Sequence, residues 1–115
     1  MLFLQYPPCS TCQKAKKWLD EHAISYEDRN IKTQNPSYEE LKAWYTASGL
    51  PLKRFFNTSG LAYKALNLKE CLSQMSEEEQ LQLLSSDGML VKRPLLICEN
   101  KILVGFKEAE WSAIL

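Results

Sequence analysis

The sequence predicts an α/β fold, and three observations lead to it. The first 31 residues follow a strand–helix–strand order, residues 36–88 have a helical pattern, and two short apolar runs lie near the end. A helix between two strands joins them as a parallel pair through a right-handed crossover, whereas a short turn between two apolar runs predicts a hairpin. The chain has 115 residues, the length of one ordinary domain, so we expect a single domain over residues 1–115.

The strand–helix–strand unit begins with MLFLQY, residues 1–6, an apolar run typical of a buried strand. Two prolines end this strand, because proline cannot donate a hydrogen bond to a sheet. Apolar residues then fall at helical spacing, and Ser10 with Gln13 has the spacing of a capping box, so we expect the helix to begin at Ser10. Residues 24–31 (ISYEDRNI) alternate loosely and predict the second strand.

The helical middle of the chain predicts an insert between the second and third strands. Two pairs, Ser37 with Glu40 and Ser76 with Glu79, have the capping-box spacing that marks the start of a helix. Three apolar faces at helical spacing are Tyr38, Leu41, Trp44 and Tyr45; Leu61, Ala65 and Leu68; and Leu81 with Leu84. We therefore expect at least three helices in the insert.

The chain ends in a predicted hairpin and a helix. Residues 95–98 and 102–104 are the two apolar runs, and residues 107–115 predict a short helix. Arg93 and Pro94 stand directly before the first run. Proline in a rigid turn can be cis, and the planar guanidinium of arginine suits an oxyanion or a carboxylate. The sequence alone gives no distance from Arg93 to the cysteine pair described below.

Composition and charge exclude several classes of function. Apolar residues make up 45% of the chain and charged residues 24%, as in globular proteins. Fourteen Lys and Arg balance fourteen Asp and Glu, so we expect neither nucleic acid nor a membrane as a direct partner. No signal peptide or membrane span is indicated, and we expect the four cysteines to be reduced thiols in the cytoplasm.

The stretch PPCSTCQK places Cys9 and Cys12 in a C-x-x-C motif at the start of the first helix. Such a pair can bind zinc, pack as two small apolar side chains, or exchange disulfides. Zinc needs four ligands, and Cys71, Cys98 and His22 form no second pair at ligand spacing, so we expect no metal. Simple burial suits Cys12, on the apolar face of the helix, better than Cys9 in a proline-flanked loop. We expect Cys71 and Cys98 to be core residues.

Disulfide exchange has a physical cause at this position. A thiolate at a helix N-terminus faces unpaired N–H groups and the positive end of the helix dipole, which can lower a cysteine pKa from about 8.5 into the range of roughly 3.5 to 7.5. Cys9 is therefore the expected nucleophile, and Cys12, one turn further on, is the expected resolving thiol. A C-x-x-C motif near a strand–helix–strand unit is also characteristic of redox proteins.

The chain resembles the arsenate reductase–Spx family in four stretches: PPCSTCQKAKKWL, SGLPLKRFFNTSG, MSEEEQLQLLSSDGMLVKRPLL and VGFKEAEW. The resemblance covers nearly the whole chain and is strongest to a poorly characterised Spx/MgsR-like bacterial branch. It implies a thioredoxin-like fold, with a four-stranded mixed sheet flanked by helices and a helical insert over about residues 36–88.

The resemblance also implies roles for individual residues. In that family the cysteine that matches Cys9 is the nucleophile, the arginine that matches Arg93 lies beside it, and the proline that matches Pro94 is cis. A further basic position in the insert matches Arg54. We therefore expect Cys9, Cys12 and Arg93 to be catalytic, and Arg54 and Pro94 to bind substrate.

Three departures from arsenate reductases bear on the activity. Cys12, Gln5 and Gly105 stand where those enzymes usually carry a serine-like residue, a histidine and a third arginine. The missing arginine weakens an oxyanion site and disfavours arsenate as the substrate. The segment GLPLKRFF differs from the pattern in the region where Spx contacts RNA polymerase, which disfavours direct transcriptional control.

The cysteine pair and the resemblance together predict a cytoplasmic thiol–disulfide oxidoreductase. Its substrate would be a protein disulfide or a glutathione-linked protein, and glutathione or thioredoxin would be the reductant, with no bound cofactor. Two alternatives stay open. One is an Spx-like regulator in which the same disulfide controls binding to the RNA polymerase alpha subunit, and the other is a weak arsenate reductase.

Overall fold

The sheet has four strands, and the structure, a computed structural model, describes all residues 1–115. The strands are β1 (Leu2–Gln5), β2 (Glu27–Asn30), β3 (Leu95–Ile97) and β4 (Ile102–Val104), in the spatial order β2-β1-β3-β4. β1 runs parallel to β2 and antiparallel to β3, and β3 is antiparallel to β4. The predicted mixed sheet is confirmed, as are its parallel first pair and its terminal hairpin.

Six α-helices flank this sheet: α1 (Ser10–Glu21), α2 (Tyr38–Ser48), α3 (Leu61–Ala65), α4 (Leu68–Cys71), α5 (Glu77–Ser86) and α6 (Glu108–Ser112). Three 3-10 turns also occur between β2 and β3, at Leu52–Phe55, Leu72–Gln74 and Gly88–Leu90. The capping boxes predicted at the starts of α2 and α5 are both present. None of these helices has the length and apolar character needed to cross a membrane.

Side chains of the strands alternate between two apolar cores. Leu4, Leu95 and Val104 belong to the larger core, which also contains buried residues of α2 and α5. The smaller core contains Phe3, Leu96 and Leu103 from the strands, and Ala15, Trp18, Leu19 and Trp111 from α1 and α6. Because neighbouring residues of a strand point to opposite faces, the insert packs on one face of the sheet while α1 and α6 pack on the other.

In the first unit the predicted start of α1 at Ser10 is confirmed, whereas the predicted capping box is wrong and the predicted second strand is too long. The N-cap of α1 is Cys9, without a side-chain capping bond, so Ser10 and Gln13 form no capping box. Gln13 instead donates from Nε2 to the carbonyl of Pro7 (2.9 Å), a partner that lies before the helix. The second strand covers Glu27–Asn30 and not residues 24–31, because it pairs only with the four residues of β1.

The apolar face predicted from Leu61, Ala65 and Leu68 is also wrong. Asn67 adopts a left-handed conformation (φ 52°) and separates α3 from α4, so one helical spacing does not run through this segment. Leu61 and Ala65 are exposed, whereas Tyr63 is buried together with Leu68. Because Asn67 lies outside the right-handed helical region of φ and ψ, the buried residues differ from those that one continuous helix would bury.

The prediction that Cys71 is a core residue is wrong, because Cys71 is exposed at the end of α4, where Leu68 and Leu72 are the residues that face the core. The prediction for Cys98 is confirmed in part. Cys98 is half-buried just after β3 and packs against the smaller core, and its backbone N–H donates across the turn to the carbonyl of Lys101 (2.9 Å).

Candidate active site

Cys9 lies where the chain turns from β1 into α1. Its backbone N–H donates to the carbonyl of Tyr6 (2.9 Å), and its own carbonyl accepts the N–H of Gln13 (3.0 Å). These bonds fix the turn that the two prolines begin. The Cys9 side chain is half-buried at the first turn of α1, where backbone N–H groups have no partner within the helix.

Cys12 lies one turn further along α1 and is fully buried. Its sulfur accepts a hydrogen bond from the backbone N–H of Tyr6 at 3.4 Å, which ties α1 to the end of β1. Both thiols are free rather than joined in a disulfide.

The two thiols have opposite electrostatic environments. Burial is the largest influence on Cys9 and raises its pKa, but the backbone N–H of Cys12, the Cys12 thiol and the Arg93 guanidinium together bring the pKa below the ordinary thiol value. Burial also dominates at Cys12, where it raises the pKa to about 12, and the N–H of Tyr6 opposes this only in part. The pair therefore loses its first proton at Cys9.

Arg93 supplies the positive charge beside Cys9, and its bond to Pro94 is cis, as the resemblance implies. The guanidinium lies over the ring of Tyr6, with 5.2 Å between Cζ and the ring centroid. The Nε and Nη1 atoms of Arg93 are buried and have no hydrogen-bond partner. Because buried polar groups are normally paired, these donors are available to a hydrogen-bond acceptor that enters the site.

A cavity of about 500 Å³ opens beside Cys9. The cations that line it are Arg54, Lys92, Arg93 and Lys107. Uncharged polar side chains on its wall are Thr11, Asn57 and Ser59. No acidic side chain lines the cavity, so it suits an anionic ligand.

The structure brings Cys9, Arg54 and Arg93 together on this cavity. Cys12 lies behind Cys9 in the protein interior. Pro94 is buried and does not line the cavity, although its carbonyl accepts the N–H of Gly105, a residue of the wall, at 2.8 Å. The roles assigned to these five residues stay predictions.

Two of the departures from arsenate reductases have structural roles. Gln5 is buried, and its Nε2 donates to Oδ1 of Asp28 on the neighbouring strand (2.9 Å). Gly105 has a φ of 77°, in the left-handed region that favours glycine. Its carbonyl accepts the indole N–H of the fully buried Trp111 (3.0 Å), which fixes this part of the cavity wall to α6.

Three residues at the site are ones that the sequence pattern did not identify. Lys92 is the neighbour of Arg93 in the chain, and this adjacency is the only sequence feature that points to it. Lys107 lies in the turn that follows β4 and lines the cavity. The sequence pattern predicts only that Tyr6 ends the first apolar strand. In the structure its N–H donates to the Cys12 sulfur and its ring contacts Arg93.

The side chains that commonly bind metal ions do not cluster in this structure. No group of three or more His, Cys, Asp or Glu side chains is placed so that it could hold a metal ion. The single histidine, His22, is exposed at the C-cap of α1, where its ring stacks on Trp18. The chemistry available at the site is that of a thiol surrounded by cations.

Comparison with known proteins places these residues in a family. Residues 4–114 match the model of the ArsC family. The chain belongs to the ArsC family. The recognition of the arsenate reductase–Spx family in the sequence is thereby confirmed.

Similar proteins extend this result over nearly the full length. The uncharacterized protein YusI of Bacillus subtilis is 59% identical over 111 residues, which are 96% of this chain and 94% of YusI. The global transcriptional regulator Spx of Enterococcus faecalis is 33% identical over 104 residues, 90% of this chain and 77% of Spx. A crystal structure of an ArsC family related protein from Bacteroides fragilis has a TM-score of 0.97 and 60% identity, covering 99% of this chain and 96% of that one. The predicted thioredoxin-like fold is confirmed.

Proposed function

We propose that this ArsC family chain is a thiol–disulfide oxidoreductase with Cys9 as the nucleophile and Cys12 as the resolving thiol. One observation supports this above the others: the pKa of Cys9 is lowered, whereas that of Cys12 is raised to about 12. Thiolates rather than thiols attack disulfides. A pair with one acidic and one weakly acidic thiol therefore separates the attack on the substrate from the later resolution.

The reaction consists of two exchanges. The Cys9 thiolate bonds to one sulfur of the substrate disulfide, the substrate S–S bond breaks, and the departing thiolate takes up a proton. Cys12 then gives up its proton and attacks the Cys9 sulfur, which releases the remaining substrate thiol and leaves a Cys9–Cys12 disulfide. Two electrons have passed to the substrate, and glutathione or a thioredoxin-type dithiol returns them.

Cys12 becomes more acidic at the step that needs it. In the resting pair, Cys9 adds to the high pKa of Cys12 through its hydrogen bond and its charge. A mixed disulfide on Cys9 removes that charge, while Arg93, whose charge lowers the pKa of Cys12, stays in place. The N–H of Tyr6, 3.4 Å from the Cys12 sulfur, stabilises the thiolate as it forms.

The other predicted residues act on the substrate and on the cavity wall. In this proposal, Arg93 holds the Cys9 thiolate and Arg54 attracts an anionic group of the substrate. Pro94 orders the wall through the hydrogen bond that its carbonyl accepts from Gly105. We assign the reaction to the cytoplasm, where thiols are kept reduced.

A regulatory function is the second candidate, and the similarity to the transcriptional regulator Spx favours it. In that case the Cys9–Cys12 disulfide would control binding to the RNA polymerase alpha subunit and would not complete a catalytic cycle. Weak arsenate reduction is the third candidate. It has the support of family membership and of the cationic cavity, but Gly105 offers no side chain to an oxyanion.

The Cys12→Ser variant separates these candidates, because it leaves a mixed disulfide on Cys9 without a resolving thiol. We expect this variant to retain partners from cell extract until a reducing agent releases them, and the wild type to turn over glutathione-linked disulfides. Cys9→Ser is the matched control and should do neither. Redox-dependent binding of the polymerase alpha subunit without turnover would favour the regulator. Vigorous turnover of arsenate would favour the reductase.

A further inference from the structure

The four cations of the Cys9 cavity have no carboxylate partner in the protein. The chain has no net charge, and its ion pairs join Lys16 to Asp28, Lys17 to Glu21 and Arg29 to Glu40. None of these six residues lines the cavity. Positive charge that is left uncompensated in a cleft of a neutral protein concentrates its field there and attracts anions.

The Lys92 side chain lies beside Gly105 in the cavity wall. A Cβ atom added at Gly105 would lie 3.4 Å from Cε of Lys92, so the lysine side chain runs directly past this position. The φ of 77° at Gly105 disfavours any other residue there. Lys107 follows two residues later on the same wall. The positive charge around Gly105 therefore comes from Lys92 and Lys107 and not from a side chain at position 105.

Arg93 interacts with the Cys9 sulfur, so the other three cations of the cavity are available to the substrate. Arg93 stacks on Tyr6 and lowers the pKa of Cys9. Arg54, Lys92 and Lys107 are exposed on the cavity and form no ion pair. Lysine ammonium groups are point charges on flexible stems, so they can follow carboxylates that differ somewhat in position.

We infer that Lys92 and Lys107, together with Arg54, bind carboxylates of the substrate and select disulfides that carry negative charge near the reacting sulfur. The inference rests on the proposed function and names its substrate class: a small dicarboxylate thiol such as glutathione in disulfide linkage, or an acidic protein segment with the same chemistry. A cavity of about 500 Å³ lies within the usual range of small-molecule sites, roughly 300–1,000 Å³, which favours the small thiol.

Two alkylating agents of similar size test the charge of the subsite without any disulfide. The Cys9 thiolate displaces iodide from anionic iodoacetate or neutral iodoacetamide, forming one S–C bond in each case. We expect the ratio of the iodoacetate rate to the iodoacetamide rate to fall roughly two- to fivefold in Lys92→Gln and in Lys107→Gln, the size of effect typical of exposed charge pairs. Salt at about 1 M should remove the difference.

Two further variants control this experiment. Lys42→Gln, on α2 and outside the cavity, removes the same charge and should leave the ratio as in the wild type. Lys92→Arg keeps the positive charge and should likewise keep the wild-type ratio. An equal ratio in the wild type, Lys92→Gln, Lys107→Gln and the double variant would overturn the inference.

Three disulfides then test the substrate class: glutathione disulfide, a disulfide-linked acidic peptide, and the neutral 2,2′-dipyridyl disulfide. We expect the Lys92→Gln/Lys107→Gln double variant to lose the preference of the wild type for glutathione disulfide over the neutral probe. A preference confined to the peptide would identify a protein segment as the source of the carboxylates. Equal turnover of all three by the wild type would overturn the inference and leave the proposed function standing. If no disulfide is turned over but the iodoacetate ratio still falls, the carboxylate site stands and the proposed function is wrong.

Discussion

Arg29 and Arg93 are both partly buried arginines, yet their surroundings are opposite. Arg29, on β2, donates from Nη1 and Nη2 to the two carboxylate oxygens of Glu40 (2.7 and 2.9 Å). Its Nε and Nη2 also donate to the carbonyls of Gln34 (2.8 Å) and Asn35 (3.1 Å). Arg29 therefore joins the edge strand to the start of α2, and its donors are satisfied within the protein.

Arg93 has no carboxylate partner, and two of its buried nitrogens have no acceptor. These donors are available to an acceptor group from outside the protein. The neighbours of Arg93 are the Cys9 sulfur and the Tyr6 ring. The comparison favours a structural role for Arg29 and agrees with the proposed role of Arg93 beside the Cys9 thiolate.

Arg93→Gln should give the largest effect on the chemistry. A hydrogen bond to a charged group contributes about 1.5–3 kcal/mol, so we expect the pKa of Cys9 to rise and its alkylation near neutral pH to slow by roughly tenfold or more. The wild-type pKa lies below the ordinary thiol value, with Arg93 among its causes. The midpoint of iodoacetamide alkylation against pH, measured in a Cys12→Ser background, gives the pKa. An unchanged midpoint would mean that the N–H groups at the start of α1 hold the thiolate without Arg93.

Arg29→Gln should give the converse result, with lower stability and unchanged reactivity. The side chains of Arg29 and Glu40 are 19% and 35% exposed, so solvent screens the pair in part. We expect the free energy of unfolding to fall by about 1–2 kcal/mol, at the upper end for pairs of this kind because the contact is bidentate. Urea unfolding measures this change, and the alkylation midpoint of Cys9 should stay as in the wild type. A shifted midpoint would contradict the division between the two arginines.

The same ion pair predicts how stability depends on acid. Hydrogen bonds from Arg29, together with the backbone N–H of Ser37, lower the pKa of Glu40 to about 2, against burial that raises it. Because this folded-state pKa lies below the ordinary value of 4.5, the contribution is fully present above pH 4.5 and is lost as the pH falls towards 2. Urea unfolding at several pH values in this window should show a smaller loss in Arg29→Gln than in the wild type.

Local sequence rules predicted much of the fold, because the contacts they describe are local. The capping boxes of α2 and α5 involve residues three positions apart and are both present. The same rule failed at Ser10, because the N-cap of α1 is Cys9, and the Gln13 side chain donates to the carbonyl of Pro7. It also could not reveal the left-handed Asn67, which separates α3 from α4, so that the exposed Leu61 and the buried Leu68 do not share one helix face.

The site was less predictable, because its parts are far apart in the chain. Spacing alone placed Cys9 and Cys12 at the start of a helix, but it gave no reason for Arg93 to lie nearby. That proximity depends on the antiparallel pairing of β1 with β3, in which Leu4 lies opposite Leu95. The resemblance to a family supplied this expectation. No pattern pointed to Lys107 or to the ring of Tyr6.

Tyr6 should give the smallest effect, and it tests what holds Arg93 in position. The ring lies 5.2 Å from Cζ of Arg93, and an interaction of this kind contributes about 0.5–1 kcal/mol where it is exposed and more where it is buried. Tyr6→Phe keeps the aromatic face and should leave the alkylation midpoint of Cys9 unchanged. Tyr6→Leu removes that face and should raise the midpoint, though by less than Arg93→Gln does, since Arg93 would be held less firmly beside the sulfur.

The backbone contact of Tyr6 makes this pair of variants informative. Its N–H donates to the Cys12 sulfur in both variants, so any difference between them arises from the ring. If Tyr6→Leu shifts the midpoint only while Arg93 is present, and not in Arg93→Gln, the ring acts through the arginine. Equal shifts with Arg93 and with Gln at position 93 would mean that Tyr6 acts on Cys9 independently of the arginine. In that case the loop that carries Arg93, and not the Tyr6 ring, holds its buried Nε and Nη1 in place.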